Sequence, residues 1–283
     1  MMNHPLLKFE EVYYRYPGGE TPAINGLSLS VPAEKKSALV GQNGCGKSTL
    51  LLLADGLHKL EKGTIAWRGE ALTYDRHRLK RWRERIGLAF QDPEQQLVAG
   101  TVAEDISYGL CNLKLAPAEI HKRQERAIAD FGLQSLGDRP LHHLSLGQKR
   151  RVALAGVMAL QPELLLLDEP TAYLDKMQTR HLIAQLDRIH AAGTTIVMAT
   201  HDLNLAYEWA DWIFILHRGQ LVMEGEATDI FDRRDILEQL QLGFPILWEV
   251  WQALPPQMRL RYGTPPKTVR EWQERMSQLE EWR

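Results

Sequence analysis

Apolar positions along this chain fall into short extended runs and longer helical stripes. From Leu7 to Val31 the pattern is extended, with Phe9, Val12 and Tyr14, then Ile24, Leu27, Leu29 and Val31. Pro17-Gly18-Gly19 lies between the two halves, which predicts a small antiparallel sheet. Ser37-Ala38-Leu39-Val40 reads as a buried strand and Thr49 to Ala54 as the helix that follows. Lys62-Gly63 predicts a turn before the strand Thr64 to Trp67. A basic helix around Arg78 to Arg85 then leads into the strand Ile86 to Phe90.

From about Asp92 to Leu160 the chain is predicted to be mostly helical. Ile120, Gln124, Ala127, Ile128 and Phe131 form an amphipathic stripe behind Pro117, and a second helix follows Gly147. Leu164 to Leu167 then reads as a fully buried strand. A helix runs through Met177, Ile183, Leu186 and Ile189 to Gly193, and Thr194 to Ala199 is the next strand. Continuous apolar strands alternating with helices predict a parallel sheet covered on both faces, with a helical block at 92–160 inserted into it. Beyond Asp232 helical pieces are separated by Pro245, Pro255-Pro256 and Pro265-Pro266. The expected division is therefore a domain at 1–232 and a small helical extension at 233–283.

Composition narrows the function classes. The 283 residues carry 34 Lys and Arg against 36 Asp and Glu, a net charge of -2, so no general affinity for nucleic acid is expected. The basic stretch Lys80 to Arg85 therefore reads as a solvated helix face. Apolar runs such as Leu164 to Leu167 and Ile213 to Leu216 fall far short of the roughly 18 residues that cross a bilayer. The start Met1 to Pro5 has no features of a secretory signal. With only 2 cysteines, Cys45 and Cys111, a reducing cytoplasm is expected. His142-His143 reads as a surface pair, since no Cys or carboxylate cluster accompanies it.

Chemistry concentrates first in Gly41-Gln42-Asn43-Gly44-Cys45-Gly46-Lys47-Ser48-Thr49, which fits G-x-x-x-x-G-K-[ST] between a strand and a helix. Its glycines let the backbone approach a phosphate closely, and the helix start adds a positive dipole end. Lys47 brings a charge to the terminal phosphates, and Ser48 is a candidate ligand of Mg2+. Asp168 and Glu169 emerge side by side from the strand of leucines. Neighbouring strand residues point to opposite sides, so Asp168 can hold the metal while Glu169 faces an attacking water.

This combination resembles the ATP-binding subunits of ABC transporters, over roughly Leu6 to Phe231. Leu144-Ser145-Leu146-Gly147-Gln148 is similar to the family signature Leu-Ser-Gly-Gly-Gln, with Leu146 in place of the first glycine. The resemblance implies a P-loop ABC ATPase core in which Ser145, Gly147 and Gln148 reach the γ-phosphate bound by a second copy, so that two subunits sandwich each ATP. It implies that Gln91 touches Mg2+ and the attacking water. His201 is implied to lie near the γ-phosphate, Asp175 to couple the two sites, and Tyr16 to stack on adenine. Tyr173 stands where a small residue is usual.

A narrower likeness lies in Phe90 to Leu97 and Thr101 to Ile106, which resemble the energy-coupling-factor importers, particularly cobalt and nickel uptake ATPases. It implies a peripheral protein on the cytoplasmic face of the cell membrane. Its partners would be a transmembrane coupling protein, a substrate-binding membrane protein and a second ATPase subunit, expected to be a second copy. Segment Asp92 to Asn112 would help form the groove for the coupling partner. Three alternatives are an ATPase of a vitamin importer such as that for biotin, a soluble ABC protein of translation or DNA repair, and a regulatory subunit of weak hydrolysis.

Overall fold

The computed structural model describes residues 5–280, so positions 1–4 and 281–283 lie outside the described residues. The chain opens with β1 (Leu7–Tyr14), β2 (Ile24–Val31), β3 (Lys36–Val40), α1 (Lys47–Asp55), β4 (Lys62–Trp67) and β5 (Glu70–Ala71). It continues through α2 (Arg76–Arg85), β6 (Ile86–Ala89), α3 (Val102–Cys111), α4 (Pro117–Asp130) and α5 (Leu146–Ala159). Next come β7 (Leu164–Asp168), α6 (Lys176–Ala191), β8 (Thr195–Thr200), α7 (Leu203–Trp209), β9 (Trp212–His217) and β10 (Gln220–Gly225). Five helices end the described chain: α8 (Ala227–Phe231), α9 (Arg234–Gln239), α10 (Ile246–Gln252), α11 (Pro256–Tyr262) and α12 (Val269–Glu280).

The strands form two sheets. One is antiparallel, in the order β2-β1-β4-β5, and the other has six strands in the order β10-β9-β3-β8-β7-β6. Within the second, β9, β3, β8, β7 and β6 run parallel and only β10 turns back. Side-chain alternation explains why the central strands of this sheet are mostly apolar. Ala38, Val40, Leu165, Leu167, Ile196 and Met198 belong to the core shared with α3 to α7. Leu39, Leu164, Leu166, Val197 and Ala199 belong to the core shared with α1 and the antiparallel sheet. Each of these strands thus feeds two cores, and the buried hydroxyls of Thr195 and Thr200 at the ends of β8 are satisfied by the backbone N–H groups of Glu34 and Asp202.

Two local readings change. Lys62-Gly63 is the start of β4 rather than a turn, because the β1–β4 register shifts between Glu10 and Tyr13 and Gly63 takes up the irregularity at φ 92°. A Cβ on Gly63 would meet the Glu11 carbonyl oxygen at 2.3 Å, so this crossing needs glycine. The strand ending at Phe90 stops one residue earlier, at Ala89.

After Asp232 the chain folds back on α7. Trp248 is buried against Tyr207 and Phe231, with ring centroids 6.0 and 6.2 Å away, and Trp251 is buried beside Tyr262. The Asn204 side chain accepts from Ile246 N at 2.9 Å, and Gln42 Nε2 donates to the Leu240 carbonyl at 3.1 Å. These helices therefore touch the phosphate loop as well as the core. No described helix is long and apolar enough to cross a membrane.

Candidate functional site

Gln91, Asp168, Glu169, His201 and the loop 41–49 all follow the C-terminal ends of parallel strands. Register sets them side by side: Ala89 pairs with Leu167, Asp168 with Ala199, and Val40 with Thr200. Two residues past those pairs on β6 and β8 come Gln91 and His201. Ligands of open parallel sheets bind at this edge.

The loop itself is shaped by glycines at positions a side chain cannot share. A Cβ on Gly41 would lie 2.3 Å from the Leu216 carbonyl oxygen and 2.6 Å from Cys45 Sγ. One on Gly46, at φ 110°, would lie 2.7 Å from the Ala23 carbonyl oxygen. Gly46 also caps α1 without a side-chain acceptor, leaving the first-turn N–H groups available to an anion. Lys47 curls into the loop, its Nζ donating to Gly41 O at 2.7 Å and Gln42 O at 3.3 Å. Gln42, Asn43, Gly44 and Ser48 are exposed, while Cys45 is buried and burial pushes its thiol pKa up. Cys45 therefore packs the loop rather than acting as a nucleophile.

Glu169 is 7% exposed, yet its carboxylate is bracketed by two cationic or hydrogen-bonding groups. Lys47 Nζ is 3.9 Å from Oε1, and His201 Nδ1 donates to Oε2 across 2.9 Å. Its backbone sits at φ 43°, a left-handed conformation that strains a non-glycine residue. Burial, the largest influence on Asp168, raises its pKa, and the Ser48 hydroxyl beside it acts in the opposite direction. Its Oδ1 is buried with no internal partner.

An orphaned carboxylate oxygen beside a hydroxyl, with the exposed Gln91 nearby, fits a hard cation that takes oxygen ligands and keeps waters or phosphate oxygens as the rest. Ser48, Asp168 and Gln91 thus fit Mg2+ by the chemistry of their oxygen donors. Among the described residues no group of three or more His, Cys, Asp or Glu offers another metal site.

Tyr16 is 41% exposed, which excludes a core role, and its hydroxyl shares a 3.1 Å hydrogen bond with Thr49 Oγ1. Tyr14 and His58 meet its ring edge-on, at 5.1 and 5.5 Å between centroids. Its position puts an aromatic ring at the rim of the loop.

Ser145, Gly147 and Gln148 are not part of this cluster. They line a separate cleft with Asp130, Gln178 and His181, which no residue of the phosphate loop enters. Ser145 caps α5 through Gln148 N at 3.4 Å, and Gln148 Oε1 accepts from Ser145 N at 2.9 Å. Asp175 caps α6 in the same way through Gln178 N at 2.8 Å. The two helix starts lie together, since a Cβ on Gly147 would be 3.4 Å from Gln178 Nε2. Leu146 is partly exposed, and Tyr173 stands 82% exposed in a left-handed conformation at φ 63°.

Sequence reasoning missed Arg150. It is 7% exposed and ties Gln91, Pro170 and Ala172 together through their carbonyls. Its place in the basic run Lys149-Arg150-Arg151 is the pattern of a solvated helix face and carries no signal of burial.

The ABC transporter family matches residues 24–172. A Nostoc sp. chain described as an ABC transporter ATP-binding protein is 55% identical over 250 residues, covering 88% of this chain and 91% of its own. The energy-coupling factor transporter ATP-binding protein EcfA of Carboxydothermus hydrogenoformans is 39% identical, with 87% and 90% covered. The cobalt import ATP-binding protein CbiO of Rhodobacter capsulatus is 44% identical, with 86% of each chain covered. Among solved structures, cbiO1 from Clostridium perfringens, described as part of the ABC transporter complex cbiONQ, superposes with a TM-score of 0.74 at 36% identity. It covers 88% of this chain and 99% of that one. With the phosphate loop and the ABC ATPase fold in place, the chain belongs to the ABC transporter ATP-binding family, among its energy-coupling-factor and cobalt-import members, as an ATPase coupled to transport.

Proposed function

We propose that this chain is the ATP-hydrolysing subunit of an energy-coupling-factor importer for cobalt or nickel. In this reading it works as a homodimer on the cytoplasmic face of the membrane, beneath a transmembrane coupling protein and a separate substrate-binding membrane protein. The observation that carries the reading is the buried Glu169 carboxylate held between Lys47 and His201 at the mouth of the phosphate loop.

Tyr16 stacks on the adenine, and the backbone N–H groups of Gly41 to Thr49 cradle the phosphates. Lys47 leaves its loop carbonyls for the terminal phosphates and neutralises charge as the γ-phosphoryl departs. Glu169 orients the attacking water and takes its proton, and Gln91 helps place that water. His201 holds the carboxylate through Nδ1, 2.9 Å from Glu169 Oε2. Ser48, Asp168 and Gln91 would hold Mg2+, which would supply charge neutralisation for the phosphates.

Ser145 and Gly147 stand apart from the chain's own loop, which supports a role for them on the nucleotide of a second copy, with Asp175 and Gln148 fixing the helix starts that present them. Cobalt is supported by the Rhodobacter relative's printed name and nickel by the likeness in Phe90 to Leu97. Copurifying the membrane complex and measuring ATP-dependent uptake tests the cargo directly. Uptake of labelled cobalt or nickel is the expected result, and uptake of biotin without either ion would move the reading to vitamin import.

A further inference from the structure

Arg150 is a buried charged residue with no part in the chemistry proposed above. It lies on α5, little more than one turn beyond Ser145, and is 7% exposed. Its Nη1 donates to the Pro170 carbonyl at 2.6 Å and to the Ala172 carbonyl at 2.6 Å. Its Nη2 donates to the Gln91 carbonyl at 2.8 Å. Nε is buried without a partner, and among the described residues no carboxylate lies within ion-pair distance. Desolvation pulls the guanidinium pKa down, with Asp92 opposing it.

A buried cation without a partner carboxylate is expensive to keep. Packing alone does not explain it, because an aliphatic side chain would fill the space without desolvating a charge. What the guanidinium adds is a rigid planar fork whose separate nitrogens hold acceptors on different loops at one time. The two loops are those that carry Gln91 and Glu169. Segment 90–96 has two further ties to α5, Lys149 to Glu94 and Gln96 Nε2 to Ala153 O at 3.4 Å. Only Arg150 also reaches the loop after Glu169.

We propose that Arg150 is a positioning residue that joins the signature helix to Gln91 and to the Glu169 loop, so that the three move as one body. Displacement of α5 relative to the sheet then stretches three charge-assisted hydrogen bonds at once, and the first effect falls on the strained backbone that aims Glu169. Glu169 N is itself bonded to Ala199 O at 3.0 Å and Ala172 N to Glu169 O at 3.1 Å. A pull on the Ala172 carbonyl is therefore one peptide unit from the catalytic turn. Both Nη nitrogens of Arg150 are taken up by loop carbonyls, so its influence is on turnover and not on binding. This inference rests on the role proposed above for Glu169.

Arg150→Lys is the informative change. It keeps the charge and most of the stem but has one nitrogen, which cannot span both loops. In the purified full chain the expected result is kcat lowered by about tenfold or more, with ATP dissociation constant and melting temperature nearly unchanged. In a Glu169→Gln background the same change should have little further effect on residual turnover, because the route through Glu169 is already cut. Arg150→Gln, with both donors on one nitrogen, serves if the lysine variant does not fold and should show the same split. Wild-type turnover in Arg150→Lys overturns the inference, and so does parallel loss of affinity, stability and turnover, or failure of both variants to fold. A wild-type chain that hydrolyses ATP while Glu169→Gln hydrolyses it equally well would instead overturn the role given to Glu169.

Discussion

His201 Nδ1 lies 2.9 Å from Glu169 Oε2, and this bond fixes a buried carboxylate that faces the phosphate loop. A carboxylate in that position is suited to take a proton from water. Glu169→Gln keeps the shape and one acceptor oxygen but removes the base. Steady-state phosphate release should fall by about a hundredfold or more, while ATP affinity stays within a few-fold. Turnover near the wild-type rate would remove Glu169 from the chemistry.

Lys47 donates to two loop carbonyls and sits 3.9 Å from Glu169 Oε1, so its ammonium is already inside the concavity that receives the terminal phosphates. Lys47→Ala should weaken equilibrium ATP binding by roughly ten- to a hundredfold, the range for one charge-assisted hydrogen bond. Isothermal titration measures this, and unchanged affinity would contradict the assignment.

Asp55 ends α1, where the helix dipole is negative, and burial raises its pKa from 3.8 to about 7 despite Arg83 Nε 3.7 Å away. Between those two values the native protein holds a proton that the unfolded chain has released. Stability from this group therefore falls as pH rises from about 4 to about 7 and stays at its lower level above that. Asp55→Asn removes the titration, so its melting temperature relative to wild type should climb through this window. The upper limit of the difference is about 4 kcal/mol. A constant difference between pH 4 and 8 would contradict it.

Trp248 is buried between Tyr207 and Phe231, so the helices after Asp232 contribute to the chain's own core. Trp248→Ala should lower unfolding free energy by about 3–5 kcal/mol in a denaturant titration of the full chain. A change below about 1 kcal/mol would show that this tryptophan supports little of the fold.

The readable part of the fold was the part governed by local pattern. Leu164 to Leu167 serve two cores at once, and a strand buried on both faces reads as such a continuous apolar run. β9 and β10 were not separated as strands. Ile213 to Leu216 registered only as an apolar run, and the edge strand leaves Val222 exposed. α3 was hidden inside the block at 92–160, where its Thr101–Glu104 capping box marks the start.

Gly63 misled as a turn signal because its need for a positive φ comes from close passage of Glu11 on another strand, a tertiary cause. The same holds at the site. The loop 41–49 is contiguous and legible, whereas Arg150 acquires its partners from positions 20, 22 and 59 residues away. Helix charge pattern reports the local face, not which carbonyls converge on it.

The central claim is that nucleotide is closed between two copies, one supplying the loop and the other Ser145 and Gly147. Sedimentation velocity of the Glu169→Gln variant, with and without saturating ATP and Mg2+, tests it most directly. The account predicts a monomer that becomes a dimer with ATP, because each bound nucleotide links two chains and stays unhydrolysed. A variant that binds ATP fully and remains a monomer would contradict it.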